Sequence, residues 1–131
     1  MFLDANVFIH AFDSNGSKHE VSKRFLKRIS GAEMKACTSV LVLNEVLYFF
    51  SVHDGPEKGV RIFSNLRKMP NLVVLPVSDR DLEHVAAFIQ AGLDATDAYH
   101  AAVMKCNGID TICSYDKGFE RASGLKRQEP K

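Results

Sequence analysis

The chain begins Met1-Phe-Leu-Asp-Ala-Asn-Val-Phe-Ile-His10, and the reading of these ten residues decides the fold. Phe2 and Leu3 read as a short buried strand. Val7, Phe8 and Ile9 read as apolar chain resuming beyond it. Asp4 and Asn6 stand between them, at the edge of the core. A buried carboxylate costs free energy unless it is paired or holds a cation. Asp4 is therefore either the cap of a helix starting near Asn6 or one wall of a site, and the rest of the chain has to decide.

Working outward, helix and strand signals alternate. "SKHEVSKRFLKRISG" (17–31) reads as a helix with a capping box from Ser17 to Glu20, an inner face of Val21, Phe25, Leu26 and Ile29, and a stop at Gly31. "KACTS" (35–39) reads as a strand, followed by a helix from about Ser39 to His53. Gly55-Pro56 opens another helix to about Met69, with Val60, Phe63 and Leu66 inward. "LVVLPV" (72–77) is an apolar strand suited to burial on both faces. Two further helices follow, 78–92 with Ser78 and Asp81 at its cap, and 94–108 capped by Asp94. "DTICSYD" (110–116) is the last core strand, and from about Arg121 the chain reads as a polar, loose tail. Strands alternating with helices imply an α/β fold with a parallel sheet covered by helices.

The 131 residues suit a single domain over 1–131, with 46% hydrophobic and 25% charged residues, enough for a core without staples. Cys37, Cys106 and Cys113 are odd in number and form no CxxC pair, which suggests free thiols in a reducing compartment. No basic leader precedes an apolar stretch, and "SVLVLNEVLYFFSV" is too short to span a bilayer and carries Asn44 and Glu45. The expected location is cytoplasmic. A net charge of +1 does not by itself announce a nucleic-acid partner. Phosphate-cradling GxxxxGK[ST] and GxGxxG motifs are absent, the five histidines lack zinc-ligand spacing, and neither Ser39 nor Ser114 sits in a nucleophile elbow.

Chemistry concentrates in the acids. In open α/β sheets, sites form beyond the carboxyl ends of the strands. Asp4 and Asp116 fall at strand ends, Asp94 and Asp97 in the first turn of a helix, and Glu45 inside an apolar helical run. Each aspartate has a local alternative: Asp4, Asp94 and Asp116 as caps or turn residues, and Asp97 as a partner of the helix dipole. Glu45 has none, because Lys35 and Lys58, the nearest bases in sequence, are both distant. Clustered carboxylates repel and raise one another's pKa values unless a metal neutralises them. An all-oxygen set favours Mg²⁺ or Mn²⁺ over zinc, and ions so held activate water and stabilise the leaving oxygen in phosphodiester hydrolysis.

The same residues carry a resemblance. "LDANVFIH" resembles the opening of the PIN-domain nucleases, a strand-end Asp with Asx, Ser or Thr two residues on. "SVLVLNEVL" is similar to their helix with a buried acid, "GLDATDAYHAAVM" to their Asp-Ala-x-x-x-Ala helix start, and "TICSYDKGF" to their final motif of Ser or Thr two residues before Asp. The likeness runs from residue 3 to about 119 and is strongest to the small VapC-like toxins of prokaryotic toxin–antitoxin pairs. It implies a three-layer α/β/α domain and a Mg²⁺- or Mn²⁺-dependent endoribonuclease. Asp4, Glu45, Asp97 and Asp116 would be metal-holding catalytic acids, with Asn6 and Ser114 in support. Asp94 departs from the commoner Ser or Thr cap and is either an extra acid or the cap alone. Some family members process ribosomal RNA and others have lost activity, so a processing nuclease and a non-catalytic binding domain stay open beside the toxin. A phosphatase is disfavoured, because Asn6 stands where its second Asp would be.

Three expectations complete the reading. His100, one turn after Asp97, is read as a structural or packing residue first, with contact at the rim of the site as the alternative. Neutralising four acids takes the net charge from +1 to +5. Lys23, Arg24, Lys27, Arg28, Arg67, Lys68, Lys126 and Arg127 are then candidates for an RNA-binding rim, with a solvated helix face as the plainer role. Tyr48, Phe49 and Phe50 cannot all face one core, which suggests a homodimer using the helix from Ser39 to His53 and the helix from Pro56 to Met69. The resemblance also points to a dimer and to a small antitoxin protein as partner.

Overall fold

The structure is a computed structural model that describes all residues from Met1 to Lys131. Five strands form one parallel sheet: β1 (Phe2–Leu3), β2 (Ala36–Ser39), β3 (Leu72–Leu75), β4 (Thr111–Cys113) and β5 (Lys126–Gln128), in the order β3-β2-β1-β4-β5. Six helices flank it: α1 (Ala5–Phe12), α2 (His19–Ser30), α3 (Val40–His53), α4 (Pro56–Arg67), α5 (Asp79–Gln90) and α6 (Ala95–Cys106), with a 3₁₀ helix at Lys117–Arg121. The helices form two groups. In one, α1 packs on α2 and α3, and α3 on α4; in the other, α5 pairs with α6.

The chain starts in the middle of its own sheet. It builds outward through β2 and β3, then returns to the other side of β1 with β4. The order reverses between β1 and β4, and a crevice beyond the carboxyl ends of two such strands is where ligands bind in open α/β sheets. Phe2, Leu3, Ile112 and Cys113 of these two strands are fully buried, and with Phe8, Phe50 and Phe119 they anchor a single hydrophobic core. Full burial of one such side chain contributes about 1.5–3 kcal/mol. Gly59 sets the approach of α4 to α3: a Cβ there would overlap Ser51 Oγ and stand 2.9 Å from the Ser51 backbone nitrogen.

Several expectations change. The capping box at Ser17 does not form. Helix α2 starts after Lys18, whose backbone is already helical, and no side chain caps it. Asp81, by contrast, does cap α5, accepting from the Ser78 backbone N–H at 2.7 Å and from Ser78 Oγ at 3.0 Å. β3 is not buried on both faces. It lies at the sheet's edge with Val73 58% exposed. On α4, Ile62 turns inward with Leu66, while Val60 faces solvent. The polar tail is not loose along its length: residues 126–128 pair in parallel with β4, and the Lys126 N–H bonds to the Asp110 carbonyl at 2.7 Å. The alternation Lys-Arg-Gln hides this strand, because an edge strand needs few apolar side chains. All three cysteines are free, with Cys113 buried and the other two partly exposed.

Candidate active site

The aspartates reach the crevice because helices begin there. Asp4 directly follows β1 and is the N-cap of α1, its Oδ1 accepting from the Ala5 N–H at 2.7 Å. Asp94 caps α6 by accepting from the Asp97 N–H at 2.9 Å. Asp116, two residues past β4, caps the 3₁₀ helix by accepting from the Gly118 N–H at 2.7 Å. The local roles and the clustered placement are thus one fact. A parallel sheet puts helix N-termini at its carboxyl edge, and helix N-termini favour Asp.

The other Asp4 oxygen is tied to β4. Its Oδ2 accepts from Ser114 Oγ at 2.6 Å and from Asn6 Nδ2 at 2.7 Å, and Asn6 Nδ2 also reaches Ser114 Oγ at 3.0 Å. Ser114 Oγ accepts the Asp116 N–H, and Asn6 Oδ1 accepts the Tyr115 N–H. Asn6 and Ser114 therefore lock the ends of β1 and β4 together and aim Asp4. Burial pushes the Asp4 carboxyl above its ordinary pKa, against the pull of Ser114.

Asp97 is half-buried on the first turn of α6. Its pKa is raised to about 7, first by burial and then by the charges of Asp94, Asp4 and Asp116. This is the signature of carboxylates gathered closely, which the charge of His100 offsets only in part. Between Asp97 and Asp116 the chain has Gly118. A Cβ at that position would stand 3.0 Å from Asp116 Oδ1 and 3.7 Å from Asp97 Oδ2, so the glycine leaves the gap between the two acids open.

Glu45 finds its partner far off in sequence. His100, fully buried one turn after Asp97, places Nε2 2.7 Å from Glu45 Oε1 and 4.0 Å from Asp4 Oδ1. The contact is an ion pair rather than a directed hydrogen bond, since neither atom finds a well-aligned partner. Burial alone would lower the His100 pKa, but Glu45, Asp4 and Asp97 together raise it above its ordinary value. Of the two readings open for His100, the structure gives a buried residue that also touches the acids. The one available signal was its spacing, i and i+3 from Asp97, which puts both on one face of α6.

Asp4, Asp97 and His100 hold ligand atoms within 4.8 Å of one another. A protonated His100 has no lone pair to give, so the donors it leaves to a cation are carboxylate oxygens, the chemistry that Mg²⁺ or Mn²⁺ prefers. The acidic cluster, the gap at Gly118 and the raised Asp97 pKa all fit such an ion.

The expected basic rim is redistributed. Arg28 pairs with Glu33, Lys126 with Asp110, and Arg127 with Glu120 and Glu129 while also donating to the Ser114 carbonyl. Lys23, Lys27 and Lys68 line a different groove, over Phe12, Leu26, Leu66 and Met69. The cations that line the acidic crevice itself are Lys117 and Arg121.

The fold and the crevice define a parallel α/β protein with an acid cluster at its switch point, and comparison with known proteins agrees. The PIN domain family model matches residues 1–125, and the chain belongs to that family. It is 41% identical over 130 residues to "Ribonuclease VapC13" of Mycobacterium tuberculosis and to "VapC ribonuclease Mb1869c" of Mycobacterium bovis, covering 97% of this chain and 98% of each relative. Among solved structures it resembles Mycobacterium tuberculosis VapC20, a sarcin–ricin loop cleaving toxin, with a TM-score of 0.76 at 20% identity over 93% of this chain and 94% of the other. It also resembles the VapBC2 complex of Rickettsia felis bound to a promoter DNA fragment, with a TM-score of 0.74 at 16% identity over 98% and 96%.

No helix is long and apolar enough to cross a membrane.

Proposed function

We propose that this protein is a Mg²⁺- or Mn²⁺-dependent endoribonuclease, the toxin of a toxin–antitoxin pair. The observation that carries the reading is the meeting of Asp4, Glu45, Asp97 and Asp116 at the switch point of a chain 41% identical, nearly end to end, to proteins named as VapC ribonucleases. In this reading these four acids hold the ion, directly or through water, and the bound ion supplies an activated water and charge stabilisation for phosphodiester hydrolysis. Asn6 and Ser114 fix the direction of the Asp4 carboxylate. His100 sets the orientation and charge of Glu45 from inside the core. Asp94 starts α6 at the height that brings Asp97 to the ion. The test is cleavage of RNA by purified protein with Mn²⁺, with excess EDTA, and after Asp4→Asn. Full cleavage in EDTA, or by Asp4→Asn, overturns the mechanism.

The same reading places the protein in the cytoplasm, with two protein partners. A homodimer is supported by a stripe along α3: Val40 at 50%, Tyr48 at 68% and Val52 at 60% exposure lie at i, i+8 and i+12, beside exposed Val60 of α4. Phe50 plays no part in it, being wholly in the core. Light scattering at micromolar concentration tests the dimer, and a monomer mass unchanged by Tyr48→Glu removes it. An antitoxin is supported by the groove between α2 and α4, whose apolar floor and rim of Lys23, Lys27 and Lys68 complement an acidic amphipathic segment.

A further inference from the structure

Two cations share the acidic crevice and pair with none of its acids. Lys117 and Arg121 line a pocket of about 300 Å³ together with Asp94, Asp97 and Asp116. None of the molecule's ion pairs involves Lys117 or Arg121. Arg28, Lys58, Lys126 and Arg127 are all neutralised by neighbouring acids. Lys117 and Arg121 are not, although three carboxylates share their pocket.

Arg121 is also held in place. Its Nη1 donates to the Gly92 carbonyl at 3.2 Å. Its stem crosses Gly92, where a Cβ would stand 3.4 Å from Arg121 Cδ and where the backbone φ of +98° favours glycine. That leaves the other guanidinium donors free, on a side chain anchored between the α5–α6 turn and the 3₁₀ helix. Lys117 follows Asp116 directly and opens that same 3₁₀ helix.

Resting on the ribonuclease reading above, we infer that Lys117 and Arg121 form the phosphate-holding side of the crevice. They contact non-bridging oxygens of the RNA backbone while the acids of the same pocket hold the cation. A pocket that brings carboxylates and unpaired cations together suits a ligand that is anionic toward the cations and metal-bridged toward the acids, and a phosphodiester is both. Arg121 presents a fork of donors suited to two phosphate oxygens, Lys117 a single mobile charge. The groove lined by Lys23 and Lys27 is not the RNA track.

Binding rather than cleavage tests this. In an Asp97→Asn background, the salt dependence of affinity for a labelled single-stranded RNA oligonucleotide is measured for Lys117→Gln, Arg121→Gln and the double variant. Gln keeps much of each aliphatic stem, and the melting temperature of each variant checks the fold. Each lost phosphate contact lowers the slope of log K against log salt by about 0.7, which weakens binding roughly tenfold at 50 mM salt. Arg121→Lys is expected to keep the slope, and Lys23→Gln with Lys27→Gln to leave it unchanged. An unchanged slope in the double variant overturns the inference, as does loss of the slope in the Lys23 and Lys27 variants, or no RNA binding at all. The nuclease reading is decided separately, by metal-dependent cleavage in the native chain.

Discussion

Asp81 and Asp97 occupy the same position in two neighbouring helices. Each is the third residue after an N-cap, Ser78 in α5 and Asp94 in α6. Their chemistry is opposite. Asp81 is buried, which alone would raise its pKa, but the Ser78 backbone N–H and hydroxyl hold it below the ordinary value. Asp97 is raised to about 7, by burial and then by three other aspartates. Asp81 turns back on its own helix and closes a cap. Asp97 makes no such bond and lines the crevice with Asp94 and Asp116. The same helical position thus carries an acid that stabilises its helix in α5 and an acid without an ion-pair partner in α6.

The largest expected difference between the two is in activity. In the proposed mechanism Asp97→Asn removes an oxygen that would hold the ion, and it is expected to cut Mn²⁺-dependent RNA cleavage by ~10³-fold or more, the equivalent of several kcal/mol of charge stabilisation. Asp81→Asn is expected to leave the rate within about twofold. Equal losses in both would mean that cleavage reports folding, and the contrast would collapse.

Stability runs the other way. Asp81→Ala removes the cap of α5 and is expected to cost about 1 kcal/mol, or about 4 °C in melting temperature. In EDTA, Asp97→Asn is expected to hold or raise the melting temperature, since it relieves repulsion, set against a weaker interaction with the helix start. The same change is expected to shrink the stabilisation gained on adding Mn²⁺, which for native protein at a hundredfold excess over Kd amounts to about 2.7 kcal/mol. An undiminished Mn²⁺ shift in Asp97→Asn would place that residue outside the metal site.

The smallest effect is the pH slope in chelated protein. A carboxyl raised from 3.8 to about 7 binds its proton more tightly in the folded state. Its contribution to stability is therefore complete below about pH 4 and lost as pH rises through 7. His100, also raised, acts in the same sense as pH rises through its folded value. Melting temperature in EDTA is expected to fall across this window, and to fall less in Asp97→Asn. Asp81, being lowered, has the opposite sign: its contribution is present above the ordinary carboxylate range and lost as pH falls. Parallel pH curves for native protein and Asp97→Asn would refute the charge cluster as its cause.

What the sequence determined by itself was the alternation of elements and the acids at their junctions. Hydrophobic periodicity and local capping are short-range, so the helices from α2 to α6 and the central strands are readable without the fold. Asp4, Asp94 and Asp116 could be read both as caps and as site residues, and they are helix or 3₁₀ caps that line the crevice. Only the tertiary structure decided the partners. Glu45 and His100 are separated by more than fifty residues and meet because α3 and α6 converge on the end of β1. The strand order made β3 an edge and gave a polar tail a place beside β4. It also put Lys117 and Arg121, neither of them among the eight rim candidates, in the crevice. Charges and edges are long-range properties: which lysine finds an acid, and which strand finds a neighbour, depends on what the rest of the chain brings within a few ångströms.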